Sequence, residues 1–180
     1  MYDRAAPGEP EAPARAERKG GAEMAEKQSD PNDRPEFAIM NGTLMPYNDA
    51  KISIMAPALT FAVTIFEGLR GYRNPDDNEL YVFRVKAHLD RMRFGMELME
   101  LDTPPSDADF ADQISRIVRA NQMHQDCYIR LQAYVDEWGD MTATGPVGSS
   151  AICRYRPRAA SFETGKHFGV VSWRRNPDDA

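Results

Sequence analysis

The segment 127–135 alternates between two kinds of side chain along its whole length. Successive side chains of a β-strand point to opposite faces, so this pattern predicts a half-buried strand. One face is apolar and holds Cys127, Ile129, Leu131, Ala133 and Val135. The other face displays Tyr128, Arg130, Gln132 and Tyr134, which places tyrosine and arginine side by side. Such a strand needs partner strands and an apolar layer against its buried face.

Other segments upstream have strand character and can supply those partners. The run 37–40 precedes Asn41-Gly42, the dipeptide favoured in tight hairpin turns. The runs 52–55, 63–72 and 80–83 are further predicted strands, and the loop 73–78 separates the last two. Within 63–72, period-two geometry predicts one face with Phe66, Gly68, Arg70 and Tyr72, and an opposite face with Ile65, Glu67 and Leu69.

Two amphipathic helices are predicted between the strand 80–83 and Asn121. The first is indicated by the three-to-four spacing of Leu89, Met92, Met96 and Met99. Ser106 followed by Asp109 is typical of a capping box and predicts the start of the second helix. Its apolar face consists of Phe110, Ile114, Ile117 and Val118, and it should end near Asn121.

The composition changes along the chain and predicts four regions. Residues 1–36 lack Ile, Leu, Val, Phe and Trp but hold five of the thirteen prolines, which predicts a disordered tail. Met24, after a Lys-Gly-Gly-Ala segment, stays open as the translation start. Residues 37–137 are predicted to form a small α/β domain, and the Gly-, Thr- and Asp-rich stretch 138–150 an interdomain loop. Residues 151–180, with strands predicted at 151–155 and 168–173, would begin a larger domain.

Charge and residue usage exclude several classes of function. The net charge is −6 and the basic residues are scattered, so no nucleic-acid surface is predicted. The apolar runs are far shorter than the roughly 20 residues that span a bilayer. Cys127 and Cys153 have no metal-ligand spacing and are predicted to be free thiols in the cytoplasm. The three histidines are dispersed, so no metal site is predicted.

Four segments, taken in order, resemble the class IV (fold type IV) aminotransferases, above all the branched-chain amino acid transaminases. The first is Asn41-Gly42 with the stretch 49–53, which is weak by itself. The second is 58–72, whose core 66–72 is highly specific and reads Phe-Glu-Gly-Leu-Arg-Gly-Tyr. The third is 82–91, and the fourth is Tyr128-Ile129-Arg130.

The resemblance implies an α+β fold, in which an antiparallel sheet with two helices forms the small N-terminal domain and the first strands of the large domain follow. It implies pyridoxal 5'-phosphate as cofactor, with Arg91 as the residue that binds the phosphate. A guanidinium suits that role because it binds phosphate through two parallel hydrogen bonds and stays charged. From the residues alone, an arginine on a helix is by default a solvated or salt-bridged surface group, and that reading is favoured for Arg91.

The resemblance also implies the substrate-binding residues. Tyr128 and Arg130 would bind the substrate carboxylate, although the pattern alone fits an ordinary polar sheet face. Phe66, together with Phe61, would line the side-chain pocket, where the family usually has tyrosine at the position of Phe61. Arg70 would lie at the pocket mouth or a dimer contact. Its alternative is a structural ion pair with Glu67 or Glu100.

The lysine that holds the cofactor in the resembling family comes after a Ser-Trp-Arg segment, which here is 172–174. The five lysines, Lys19, Lys27, Lys51, Lys86 and Lys166, all precede it, so no catalytic residue is assigned. We expect the chain alone to be inactive. The complete enzyme, expected to be a homodimer, would transfer an amino group between a branched-chain L-amino acid and 2-oxoglutarate.

Two alternatives stay open. The first keeps the family but changes the reaction, to that of a D-amino acid transaminase or an aminodeoxychorismate lyase. The Tyr128-Ile129-Arg130 strand argues against it. The second is a short non-catalytic module that dimerises through the small-domain surface.

Overall fold

The computed structural model describes residues 34–159 and 161–172. The predicted tail 1–36 lies outside the described residues except for its last three positions. Arg34, Pro35 and Glu36 have no regular secondary structure.

One antiparallel sheet of six strands organises the described chain, with the spatial order β2-β1-β6-β5-β3-β4. The strands are β1 (Phe37–Met40), β2 (Thr43–Pro46), β3 (Thr64–Arg73), β4 (Leu80–Val82), β5 (Cys127–Val135) and β6 (Val147–Tyr155). The hairpin predicted at Asn41-Gly42 joins β1 to β2, and both turn residues have positive φ, 50° and 77°. The strand predicted at 127–135 is confirmed with the same bounds.

Two long helices cover one face of this sheet. α2 (Val85–Leu98) packs on β3, whereas α3 (Asp107–Ala120) packs on β6 and β1. α3 opens with the predicted capping box, in which the Ser106 side chain accepts from the Asp109 N–H and the Asp109 carboxylate accepts from the Ser106 N–H. Three shorter elements are a 3-10 turn (Tyr47–Asp49), α1 (Pro57–Thr60) and α4 (Ser161–Thr164).

The core lies between the helices and the sheet. It takes its fully buried side chains from both layers: Ile39, Leu69, Ile129, Leu131 and Cys153 from the strands, and Met92, Met96, Phe110 and Ile117 from the helices. The opposite face of the sheet carries polar and aromatic side chains, as the alternation predicted. Cys127 and Cys153 are free, buried thiols.

Two predicted strands are wrong. Residues 52–55 are irregular or in a turn, because Pro57 starts helix α1 two residues later and leaves no length for pairing. Residues 168–172 form no strand, and Trp173 lies outside the described residues. Phe168, Val170 and Val171 are largely exposed, so this apolar run has no neighbouring strand among the described residues to pair with.

The segment around 150 also differs from the prediction. β6 begins at Val147, so the predicted loop 138–150 is shorter by four residues at its end. Strand 151–155 lies within β6, where it pairs with β5 along its length and with β1 near Ala151. The division of the chain into two domains at 138–150 stays a prediction, but β6 belongs to the same sheet as the strands before it.

No helix within the described ranges has the length and apolar character that crossing a membrane requires. The cytoplasmic location stays a prediction.

Candidate functional site

Strand β3 distributes the candidate residues over two sides of the sheet. Glu67 and Leu69 are buried on the helix side, whereas Phe66, Arg70 and Tyr72 lie on the open side. The predicted period-two division is therefore confirmed. β4 pairs with β3 only from Gly71 to Arg73, so no strand among the described residues covers the outer edge of β3 beside Phe66 and Glu67.

A buried carboxylate on β3 holds Arg91. The Arg91 Nε and Nη2 atoms donate to the two oxygens of Glu67 at 2.5 Å and 2.6 Å. His88 Nδ1 lies 2.8 Å from Glu67 Oε2. Both basic residues sit on α2 three positions apart, which places them on one helix face above β3. The sequence did not predict this cluster. Glu67 alone among apolar residues on one face of β3 could have indicated a buried acid that needs a basic partner.

This arrangement leaves one edge of the Arg91 guanidinium free. Glu67 is 3% exposed, while the Arg91 side chain is 70% exposed. Of the five guanidinium N–H groups, Nε–H and one on Nη2 point to the carboxylate. The two on Nη1 and the second on Nη2 make no hydrogen bond to any other described residue. An edge with two parallel donors is the geometry that binds phosphate.

The same contacts set the charge of Glu67. Burial alone would raise the pKa of this carboxyl group, but hydrogen bonds from Arg91 and His88, with the charges of both, together lower the pKa below its ordinary value of 4.5. Glu67 is therefore ionised near neutral pH. The same contact raises the pKa of Arg91.

On the open side, Phe66, Tyr128 and Arg130 are brought together. The Arg130 guanidinium carbon lies 4.2 Å from the centroid of the Phe66 ring, a cation–π contact. Gly68 pairs with Arg130, and a Cβ atom on Gly68 would lie 2.7 Å from the Tyr128 hydroxyl oxygen. Glycine at this position therefore makes room for the phenol ring.

Arg130 is short of hydrogen-bond partners. Its Nε atom is buried without a partner, and the side chain forms no ion pair within the described ranges. A buried donor without an acceptor is unfavourable by about 1–3 kcal/mol. An anionic ligand group placed here would relieve that deficit.

Arg70 forms neither of the ion pairs that the sequence left open. Its Nη2 atom donates to the backbone carbonyls of Arg156 and Pro157 at 2.7 Å and 3.2 Å. Glu67 is engaged on the other side of the sheet by Arg91 and His88. Arg70 thus ties the end of β6 to β3 on the side that carries Tyr128.

Phe61 stands apart from the other candidates. It follows α1 and caps its C-terminus, and 47% of its surface is exposed. Across the described segments, no hydrogen bond or ring contact joins Phe61 to Phe66, Tyr128 or Arg130. Its assignment to a side-chain pocket stays a prediction.

Sequence reasoning also missed a group of basic residues on the open side. Arg156, Arg158 and Lys166 line one cavity together with Arg70 and Tyr128. The sequence placed Lys166 away from the site because a strand was predicted at 168–173. That strand is absent over 168–172, and Lys166 is among the residues that line the cavity. The alternating arginines of 154–158 were the available signal.

The chain is similar to known proteins over most of its length. A probable branched-chain-amino-acid aminotransferase of Aquifex aeolicus is 31% identical over 150 residues, which make up 81% of this chain and 47% of the relative. The branched-chain aminotransferase of Thermoproteus uzoniensis, solved with norvaline, has a TM-score of 0.62 at 27% identity over 67% of this chain and 40% of its own. The enzyme of Thermobaculum terrenum in its PLP form shares the fold, with a TM-score of 0.62 at 24% identity over 72% and 42% of the two chains. No family model matches the chain.

The antiparallel sheet with its two helices matches the N-terminal part of class IV (fold type IV) aminotransferases, as the sequence resemblance implied. Within that class, the chain is related to the branched-chain amino acid aminotransferases, which are transferases. It spans about half the length of the curated relatives it matches.

Replacing Glu67 with Gln tests the buried cluster. The N–H groups of the glutamine amide would face the N–H donor of Arg91 Nη2 without an acceptor between them. We therefore expect the free energy of unfolding at pH 7 to fall by about 2 kcal/mol. The fold lowers the pKa of Glu67 below its ordinary value of 4.5. The ionised carboxylate therefore contributes its full share to the free energy of unfolding above pH 4.5, and this share is lost as the pH falls through the lower pKa of the folded protein. Urea unfolding at pH 7 and at acidic pH should therefore show a difference between the two proteins that shrinks with acid. The control is Glu97→Gln, an exposed position on α2, and an equal effect of both substitutions would contradict the role of Glu67.

Proposed function

We propose that this chain is the cofactor- and substrate-binding N-terminal part of an enzyme that transfers an amino group between a branched-chain L-amino acid and 2-oxoglutarate. The observation that carries the proposal is the free donor edge of Arg91, held in place by the buried Glu67 carboxylate. The named relatives support it, since they are branched-chain aminotransferases.

The residues fit pyridoxal 5'-phosphate as the cofactor. Arg91 would bind its phosphate through Nη1 and the second N–H of Nη2, while Glu67 keeps the guanidinium from rotating. When bound, the pyridine ring of the cofactor acts as the electron sink for the reaction at the substrate α-carbon.

The open side of β3 and β5 would bind the substrate. Arg130, whose Nε atom lacks an acceptor, and the Tyr128 hydroxyl would bind the substrate carboxylate. The Phe66 ring, 53% exposed, supports the Arg130 guanidinium and offers an apolar wall to an aliphatic side chain, with Phe61 as a second apolar element. Arg70 would close the end of this surface next to Tyr128.

Arg91→Lys tests the phosphate assignment in a protein that includes the region downstream of this chain. Lysine keeps the charge but loses the paired donors, so we expect cofactor affinity to fall roughly tenfold or more. Equilibrium dialysis against pyridoxal phosphate measures the change, and Arg119→Lys on the exposed side of α3 is the control. Unchanged retention of the cofactor by Arg91→Lys would contradict the assignment.

These 180 residues alone should show no turnover of leucine with 2-oxoglutarate and no stable covalent attachment of the cofactor. One charged contact contributes little against the entropy lost on binding. The purified chain is mixed with pyridoxal phosphate, treated with borohydride and mapped by mass spectrometry. We expect sparse labelling spread over the exposed lysines, little changed by Lys166→Arg. Stoichiometric labelling of one lysine together with turnover would overturn this expectation.

We also propose that the complete protein is at least a homodimer. The exposed apolar side chains around α1 support an interface there: Ile54, Leu59 and Phe61 are 77%, 60% and 47% exposed. Within 151–155, β6 pairs with β5 along its length but with β1 only near Ala151. Light scattering of the chain should show association that increases with concentration, and Leu59→Glu should weaken it. A chain that stays monomeric at all concentrations would contradict an interface at α1, and a monomeric complete protein would contradict the homodimer.

A further inference from the structure

The side chain of Asn41 completes the ladder between β1 and β6. The register of these strands contains only two residue pairs, at Ile39 and Met40 of β1. At Asn41 the backbone turns away with a φ of 50°, yet its N–H group still donates to the Ser149 carbonyl at 2.8 Å. The Asn41 side-chain oxygen accepts from the Ser149 N–H group, also at 2.8 Å, in the place that a backbone carbonyl takes in a regular ladder. One side chain thus extends a short ladder.

The nitrogen of the same amide group makes a second contact. Asn41 Nδ2 donates to Asp136 Oδ2 at 3.3 Å, on the residue that follows β5. The two ends of this amide therefore attach the β1–β2 hairpin to β6 and to the end of β5. We call Asn41, Ser149 and Asp136 the hairpin clasp. A carboxylate in place of the amide can accept from Ser149, but it has no N–H group to offer Asp136.

Asn41 also has the sequence context that most favours loss of a side-chain amide. The backbone nitrogen of the next residue attacks the asparagine side chain, and glycine as that residue hinders the attack least and moves most freely. Among the seven asparagines of the chain, Asn41 alone is followed by glycine. Both turn residues are exposed, and apart from the chain neighbours no atom lies within 4 Å of the position that a Cβ atom would take on Gly42. The turn is therefore open to water.

We propose that Asn41 is a site of deamidation and that loss of its amide opens the hairpin clasp. The Gly42 backbone nitrogen bonds to the Asn41 side-chain carbon, the side-chain amide leaves as ammonia with the Gly42 N–H proton, and a cyclic imide remains. Water then opens the imide to aspartate or isoaspartate. The side chain must release Ser149 and Asp136 before its carbon can meet the Gly42 nitrogen, so the reaction starts from a locally opened clasp. This proposal does not depend on the function proposed above.

The product reverses the contact with Asp136. An aspartate at position 41 still accepts from the Ser149 N–H group, but its second oxygen faces the Asp136 carboxylate where the amide had donated. Two ionised carboxylates at hydrogen-bond distance repel each other. Isoaspartate, in addition, lengthens the backbone by one carbon atom within the turn. Either product therefore weakens the attachment of the hairpin to the rest of the sheet.

The first test measures the reaction itself. The 180-residue chain is incubated at neutral pH, and peptide mapping by mass spectrometry follows aspartate and isoaspartate at each asparagine. We expect Asn41 to react ahead of Asn48 and Asn78, which are also exposed. Asp136→Ala removes one contact of the clasp and should speed the reaction at Asn41 roughly threefold or more. The control is Asp90→Ala, at an exposed position on α2. Equal rates at the three asparagines, or no acceleration by Asp136→Ala, would overturn the proposal.

The second test uses Asn41→Asp as the product of the reaction. At pH 7 we expect the protection of the Ser149 amide against hydrogen exchange to fall roughly tenfold relative to the parent chain. Adding Asp136→Asn should restore the protection, because the new amide can donate to the new carboxylate. The control is Asn48→Asp, the same change of charge at an exposed position of the 3-10 turn. Equal protection of Ser149 in Asn41→Asp and Asn48→Asp, or failure of Asp136→Asn to restore it, contradicts the clasp.

Discussion

The pairing of β3 with β5 is the constraint on which the rest of the structure depends. The two strands pair in antiparallel register from Thr64 opposite Tyr134 to Gly71 opposite Cys127. A slip of β3 by one residue would turn each of its side chains to the other face of the sheet. Leu69 would then leave the core, and Phe66 and Arg70 would enter it. The hydrophobic core thus fixes the register, and the register determines which residues lie on the open face.

Glu67 is the exception to that division, because it is a charged side chain on the buried face. An isolated carboxylate there would be strongly destabilising, and the fold accepts it only because Arg91 and His88 satisfy it from α2. The ion pair also links the helix to the strand at one point. Arg91 is mostly exposed, so the buried partner orients a cation that is otherwise free to move. A buried acid is therefore used to orient an exposed base.

Local patterns predicted much of the fold. The bounds of β5, the hairpin at Asn41-Gly42 and the capping box at Ser106 all depend on residues close in sequence, and each is confirmed. The failures depend on partners far along the chain. The apolar run at 168–172 has strand composition but no strand beside it in the described structure. β6 pairs with β5 and β1, and the division of the chain into two domains stays a prediction.

The candidate site shows the same limit. The period of β3 predicted the face that carries Phe66, and the period of β5 predicted the face that carries Tyr128 and Arg130. That the two faces lie on the same side follows from the pairing of the strands, which the periods did not predict. The partners of charged groups were not predictable either. The alternative role of Arg70 was an ion pair with Glu67 or Glu100, yet Arg70 donates to backbone carbonyls, and Glu67 pairs with a helix residue. Long side chains reach partners that no periodicity encodes.

The open face combines two properties that bear on substrate choice in different ways. Phe66 offers an apolar wall, and such a wall separates side chains by only about 1–3 kcal/mol for each methylene. The arginines present charge, and burying a charged group without a partner is far less favourable than losing a methylene contact. In the reaction proposed above, an aliphatic and an acidic side chain would use the same face, so each would need a matching contact there. The Arg130 guanidinium carbon lies 4.2 Å from the centroid of the Phe66 ring, so a charged and an apolar contact are offered side by side. If this face binds the ligand as proposed, the position of the ligand's charge would influence binding more than the bulk of its side chain.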